Sequence, residues 1–222
     1  MTDWDNIDNA EWGVVTDSVS DKREKPTEKP QTTPTAGTNA KRRSTELIEV
    51  SEKFLMRRAY GEDILLERMG IEPLKKGHSY HCITGGDVDA LSFLKVVMLH
   101  AKKLKYLLCS TWCMSAEDIK QLQDWYESGR IEKLDMYVGE IFPSTYVIEW
   151  RMLNNFYSDH PEAGRVKCFR NHSKIFAGFA EEFDFAIESS ANINTNPRTE
   201  QGVINISTEL AQFYKDFFDK IQ

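Results

Sequence analysis

The chain has 222 residues, 41% of them hydrophobic, and a formal net charge of −7 at neutral pH. That length accommodates one sizeable domain with extensions, and the acidic balance excludes a generally basic nucleic-acid coat. No apolar run approaches the ~18 residues of a membrane span, and the acidic N-terminus lacks a charged-then-apolar signal pattern. A cytoplasmic protein with no membrane partner is expected.

Residues 1–44 read as a disordered tail. Six acids and no base occupy 1–21; seven bases and two acids occupy 22–43, with Pro26, Pro30 and Pro34 among threonines. Such a segment buries too little apolar surface to offset its ordering entropy. Trp4, Ile7, Trp12, Val14 and Val15 stand out within it. They are either a short docking motif, for a protein partner or for this chain itself, or scattered apolar residues in loose chain. Residues 45–72 read as a helical extension. Ser44 or Thr45 suits the cap, Glu46 and Glu49 the first turn, and Leu47, Ile48, Phe54, Leu55, Ile64, Leu65 and Met69 an apolar stripe. Gly61 is expected to divide it into two helices, and Gly70 to end the second.

Strands and helices alternate over residues 73–222. His81–Thr84 is a short strand, and Gly85-Gly86-Asp87 opens a helix over 87–104. That turn is either a phosphate-binding turn or a plain strand-to-helix connection. Tyr106–Trp112 is a continuous apolar strand of the kind buried on both faces. A helix follows from Ser115 or Ala116 to Glu127, then a strand over Leu134–Phe142 closed by Pro143, and an aromatic-rich helix over Thr145–Tyr157. Val166–Arg170 leads into an extended run carrying His172 and Lys174. Glu181-Glu182 is the tip of a hairpin that returns through Asp184–Ser189. Glu200 opens a further strand, and Thr208–Ile221 closes as a helix. This order predicts a three-layer α/β/α sandwich with a mixed sheet, preceded by the N-terminal helical extension.

Chemistry concentrates in residues 171–201. In a strand, residues two apart share a face, so His172 and Lys174 project together. The hairpin's return delivers Ser190 and Asn192 in a small polar turn, and Glu200 follows. Together they supply what phosphodiester chemistry without a metal needs: a nucleophile, a phosphate clamp, neutral donors, and a carboxylate to hold the imidazole tautomer. Arg165, Lys167 and Arg170 lie just upstream with no acid among them, as a phosphate- or nucleic-acid-binding strip or as a solvated strand face. Cys82, Cys109, Cys113 and Cys168 read as reduced core thiols. The spacing of Cys109 and Cys113 with His78 and His81 fits a zinc site poorly, and no metal or cofactor is expected.

His172-Ser173-Lys174, then Ser190-Ala191-Asn192, then Glu200-Gln201 resembles the His-Lys-Asp motif of the phospholipase D superfamily, in its single-motif, nuclease-like branch. The variant also resembles proteins borne by phages and mobile elements. Two positions depart from the pattern: Phe179 stands where the family has an Asp, and Ser189 where it has a Gly. Asp184 is a candidate substitute for the missing Asp. The resemblance implies that residues 73–222 form one half of the phospholipase D fold. With one motif per chain, it also implies a homodimer that pairs two copies of His172 across one phosphate. One His172 would attack phosphorus to give a phosphohistidine while the other protonates the leaving oxygen. Lys174, Asn192 and Ser190 would stabilise the phosphate oxygens, and Glu200 would hold the ring of the nucleophile. The function this implies is a metal-independent phosphodiesterase acting on nucleic acid. The alternative is a catalytically inactive nucleic-acid-binding or interaction module that kept the fold.

Overall fold

The computed structural model describes residues 52–222 apart from 71, 87 and 195–197, with 52–60 described by backbone alone. The expectations for residues 1–44, and for the start of the helical extension, lie outside the described residues. The described strands are β1 (Ser79–Thr84), β2 (Leu104–Thr111), β3 (Leu134–Gly139), β4 (Gly164–Phe169), β5 (Ile175–Ala180), β6 (Asp184–Ser189) and β7 (Glu200–Asn205). The helices are α1 (Glu52–Gly70), α2 (Ala90–His100), α3 (Ala116–Glu127), α4 (Phe142–Thr145), α5 (Val147–Asp159) and α6 (Thr208–Phe218).

These strands make one mixed sheet in the order β1-β7-β6-β5-β2-β3-β4. β2, β3 and β4 run parallel, and every other pairing is antiparallel. Alternation along β2 explains the layers. Leu107 and Cys109 face one side, in a core that also takes Leu94 and Val97 of α2, Ile119 and Leu122 of α3, and Leu153 and Phe156 of α5. Tyr106 and Leu108 face the other side, where they share a smaller core with Tyr137, Ala177 and Phe218 of α6. The expected α/β/α sandwich is therefore the observed architecture. Both faces of β2 are covered from Tyr106 onward, which is why Tyr106–Cys109 is apolar without a polar alternate, while Lys105 before it is exposed.

Helix starts follow their capping residues. Asp89 accepts from the Ser92 amide at 3.1 Å, Ser115 from Asp118 at 3.3 Å and Ser207 from Leu210 at 3.2 Å, each satisfying an otherwise unpaired first-turn N–H. The helix expected over 87–104 is thus shorter, since Asp89 starts it and β2 begins at Leu104. Pro143 does not close a strand. The strand stops at Gly139, and Pro143 sits in the first turn of α4, where a missing N–H costs nothing.

Two expectations are corrected. Gly61 does not break the N-terminal helix, which is continuous over Glu52–Gly70. A mid-helix Gly costs about 1 kcal/mol, and packing on α2 offsets it. Leu65 is buried, and Glu62 accepts from Ser92 Oγ at 2.7 Å and pairs with Lys95 Nζ at 2.8 Å. The extended run from Val166 onward is not one strand. β4 ends at Phe169, beside β3 at one edge of the sheet, while β5 begins at Ile175 on the far side of β2. Residues 170–174 carry the chain across the ends of β3 and β2, and His172 and Lys174 ride on that crossing.

Candidate functional site

The parallel strands β2, β3 and β4 finish at the same end of the sheet where β5 and β7 begin and β6 finishes. In open α/β sheets the carboxyl ends of parallel strands are the usual ligand crevice, because the connections splay apart there. The topology delivers His172, Lys174, Ser190, Asn192 and Glu200 to that one end.

His172 is exposed, whereas Lys174 retains 9% exposure. Neither lies within a ladder, so their pairing does not come from a shared strand face. Lys174 turns back, donating to the His172 carbonyl at 2.7 Å with its Nζ 2.9 Å from His172 Nδ1. An ammonium has donors only. With Lys174 charged, Nδ1 is the acceptor and the neutral ring carries its proton on Nε2. Burial holds the Lys174 pKa below the ordinary lysine value, with Cys113 and the Glu200 carboxylate pulling the other way. Trp112, the residue after β2, packs its ring 5.4 Å from the imidazole at 48°.

The crossing is tied down on both sides of His172. Asn171 Nδ2 donates to Ser110 Oγ at 2.9 Å and to the Tyr137 carbonyl at 3.0 Å. Its Oδ1 accepts from the Ser173 amide at 3.1 Å and from Ser173 Oγ at 2.7 Å. The Lys174 carbonyl accepts from the Ser189 amide at 3.0 Å, which joins the crossing to the end of β6.

The Ser190 turn is stapled to β7. Ser190 N donates to the Gln201 carbonyl at 3.0 Å, and Ser190 Oγ accepts from Gln201 N at 2.9 Å and donates to the Glu200 carboxylate. Glu200 was expected to hold the imidazole and Ser190 a phosphate oxygen. Here the two bond to each other, and the ring nitrogen meets Lys174 instead. Asn192 accepts from the Trp112 amide on Oδ1 at 3.3 Å, and its carbonyl accepts from Ala90 N at 3.1 Å, linking the turn to α2. Ser189, in place of the family's Gly, caps the turn: its Oγ accepts from Ala191 N and donates to the Gln201 carbonyl, each at 3.0 Å.

The three expected basic residues part company. Arg165 lies at the opposite end of the sheet, at the start of β4. It donates to Tyr137 Oη through Nη2 at 2.6 Å and to the Phe218 and Ile221 carbonyls at 3.2 and 3.4 Å, with Asp135 and Asp219 each 3.6 Å away. Those contacts hold the C-terminal turn, which corrects its place in a phosphate strip. Lys167 is on the same strand face as Arg165, paired with Tyr137. Of the three, Arg170 alone is exposed, at the start of the crossing. Phe179 packs its ring 6.1 Å from Tyr106 in the core beneath α6, and Asp184 accepts from Thr208 Oγ1 at 2.6 Å. Asp184 sits at the far end of β6 and does not replace the missing Asp at the site.

A cavity of ≈ 620 Å³ also lies at that opposite end, lined by Tyr106, Lys133, Asp135, Arg165, Lys215 and Asp219 among others. Its Arg165, Lys215 and both Asp residues already pair with one another or with neighbouring hydroxyls. These charged groups are therefore already engaged, whereas His172 at the other end of the sheet is exposed. Cys109 is inside β2 while His78 and His81 belong to the edge strand region, so the zinc grouping does not assemble. Among the described residues no three His, Cys, Asp or Glu side chains converge on a metal position.

Sequence reasoning missed Trp112, Cys113, Tyr146 and Asn171. Burial pushes the Cys113 thiol up, opposed by hydrogen bonds from Tyr146 and Asn194 and by the Lys174 charge. Tyr146 is pushed up to about 12 by burial and then by its bond to Cys113. A Trp at the carboxyl end of a fully buried parallel strand was the available signal for this wall of the site.

No protein-family model matches the chain, and no curated protein matches it. Among solved structures the chain is similar to the polyphosphate kinase of Porphyromonas gingivalis, with TM-score 0.49 and 11% identity over 65% of this chain and 26% of that one. It is also similar to the phosphatidylserine synthase of Haemophilus influenzae Rd KW20, with TM-score 0.45 and 13% identity over 65% of this chain and 38% of that one. The chain thus spans well under half the length of either. Neither likeness bears on activity. No helix among the described residues is long and apolar enough to cross a membrane.

Proposed function

We propose that this chain is a phosphodiesterase of the phospholipase D superfamily that cleaves nucleic acid through a phosphohistidine. The observation that carries the reading is the convergence of His172, Lys174 and Asn192 at one sheet end, with Lys174 Nζ 2.9 Å from His172 Nδ1. Lys174 engages the lone pair of that nitrogen. The anionic oxygens of a diester compete for the ammonium, draw it onto phosphate and free the ring. An unprotonated imidazole nitrogen then forms the bond to phosphorus as the bond to the leaving oxygen breaks. The protonated His172 of the partner subunit gives that oxygen its proton. Water next attacks phosphorus, the P–N bond breaks, and the proton lost by water returns to the partner's His172. Lys174 and the Asn192 Nδ2 donors bear on the charge gathering at the non-bridging oxygens. Histidine and lysine carry the charge in this scheme, so no bound cation is required.

A homodimer supplies the second histidine. Favouring it, three exposed apolar side chains lie at the His172 end: Ile83 at 78% exposure on β1, and Val147 and Ile148 at 48% and 68% where α5 begins. Apposing two such rims would remove that surface from water.

The test is cleavage of a labelled oligonucleotide and of bis(p-nitrophenyl) phosphate in EDTA. His172→Ala should abolish turnover and leave nucleic-acid binding near wild type. Lys174→Ala and Asn192→Ala should each lose on the order of 10²-fold, the scale for removing one transition-state donor. Nucleic acid bound but never cut by wild type would move the chain to a second reading, a binding module that kept the fold. The bond between Ser190 and Glu200 favours that reading, because it occupies the two groups that the family resemblance assigns to a phosphate oxygen and to the imidazole.

A further inference from the structure

The residue before the histidine makes four hydrogen bonds that together use the full capacity of a carboxamide. A carboxamide offers two N–H donors and an oxygen with two lone pairs. Asn171, 5% exposed, uses all four: two donors to Ser110 Oγ and the Tyr137 carbonyl, two acceptances from Ser173 N and Oγ. The Ser173 hydroxyl proton is thereby committed to Asn171, so the 2.6 Å contact between Ser110 and Ser173 has Ser110 as donor. The resulting ring of bonds joins the ends of β2 and β3 to the crossing on either side of His172. Aspartate there would lack both donors, and leucine would strand the Tyr137 carbonyl and the Ser173 amide.

A reactive side chain in solvent normally loses rate through its own freedom. His172 is exposed, but the backbone that bears it is held at the residues before and after, and by Ser189 two residues on. Holding a reacting group near its attack geometry is worth orders of magnitude in rate, and a displacement of ~1 Å costs about 10²-fold.

We infer that Asn171, acting with Ser110 and Ser173, is the positioning residue of this site, fixing the direction in which the His172 ring leaves the crossing. The inference rests on the phosphodiesterase reading for its kinetic consequence, though not for its geometry. It is tested on the full chain with Asn171→Ala and the milder Ser110→Ala. The control is Leu108→Ala, which opens the core beneath α6 and removes no hydrogen-bonding group from Asn171, Ser110 or Ser173. Two measurements are taken well below each variant's melting temperature: turnover of bis(p-nitrophenyl) phosphate, and the imidazole nitrogen and proton signals of His172 by NMR. Asn171→Ala is expected to lower kcat about 10²-fold with KM within roughly threefold, and Ser110→Ala to fall between it and wild type. Both should shift His172 toward averaged ring signals. Leu108→Ala should lose stability while keeping kcat and the His172 spectrum. Wild-type kcat and ring signals in Asn171→Ala would overturn the inference, as would an equal loss of kcat in Leu108→Ala. Should wild type itself cleave nothing, the phosphodiesterase reading fails. The NMR comparison then decides this inference alone: an unchanged His172 spectrum overturns it, and a changed one sustains it. If Asn171→Ala does not fold, the same two outcomes are read from Ser110→Ala.

Discussion

Gly139 ends β3 directly under the crossing, and it offers a measurement of how closely the site is packed on its scaffold. A Cβ at this position would fall against Trp112 Cδ1, 2.9 Å from the Trp112 carbonyl oxygen and 3.1 Å from that of Asn171. Ordinary contact begins at 3.4 Å, so Gly139→Ala must move the first oxygen by about 0.5 Å and the second by about 0.3 Å. Both are backbone atoms, and the indole that would also have to yield packs on His172. Overpacking of this kind costs ~1–3 kcal/mol, and each kcal/mol lowers the melting temperature of a domain this size by roughly 2–4 °C. The expected drop is therefore about 2–12 °C, accompanied by altered tryptophan fluorescence and slower diester cleavage, because Trp112 and Asn171 flank the histidine. Gly129→Ala is the matched control. Gly129 has φ +74 with nothing within 4 Å of a new Cβ, so alanine there meets strain of ~1–2 kcal/mol without a clash. It should lose comparable stability and cleave normally. Thermal melts and initial rates on the three proteins decide the matter. A Gly139→Ala protein as stable and active as wild type would refute the reasoning, and so would a Gly129→Ala protein impaired in cleavage to the same degree.

Lys174→Met should remove activity yet raise stability at pH 7 by ~0.5–2 kcal/mol, a cost commonly carried by functional residues. Burial lowers the folded pKa of Lys174 below the ordinary lysine value, so the unfolded chain binds more protons between the two. Wild-type stability should accordingly gain as pH rises through that window while the variant lacks the gain; urea melts with identical pH slopes would contradict this. Arg165→Gln should destabilise by ~1–3 kcal/mol by unpairing the C-terminal turn, with nucleic-acid affinity unchanged, and a matching loss of affinity would return Arg165 to the binding surface. Arg170→Ala should lower the salt dependence of binding by about one unit in log–log slope, read from titrations at several ionic strengths. An unaltered slope would remove Arg170 from the interface.

The sequence by itself determined the local elements and the chemistry they carry. The unbroken apolar run of β2, the hairpin folding back at Glu181-Glu182, and the capping serines Ser115 and Ser207 are set by contacts a few residues apart. The order from His172 to Glu200 was legible for the same reason: residue type and spacing survive in the chain itself. Where an extended run is cut and which strand it then joins is not local information. Residues 164–180 have strand character throughout, yet β4 pairs with β3 and β5 with the other side of β2. The decision comes from burial of both faces and from partners such as Ser110, which is 61 positions from Asn171. Tertiary packing likewise decided that Arg165 serves the C-terminal turn, that Glu200 meets Ser190, and that Trp112 stands beside His172. Each of these depends on groups remote in sequence that only the folded sheet brings within reach, because a polar side chain takes whichever partner burial leaves closest.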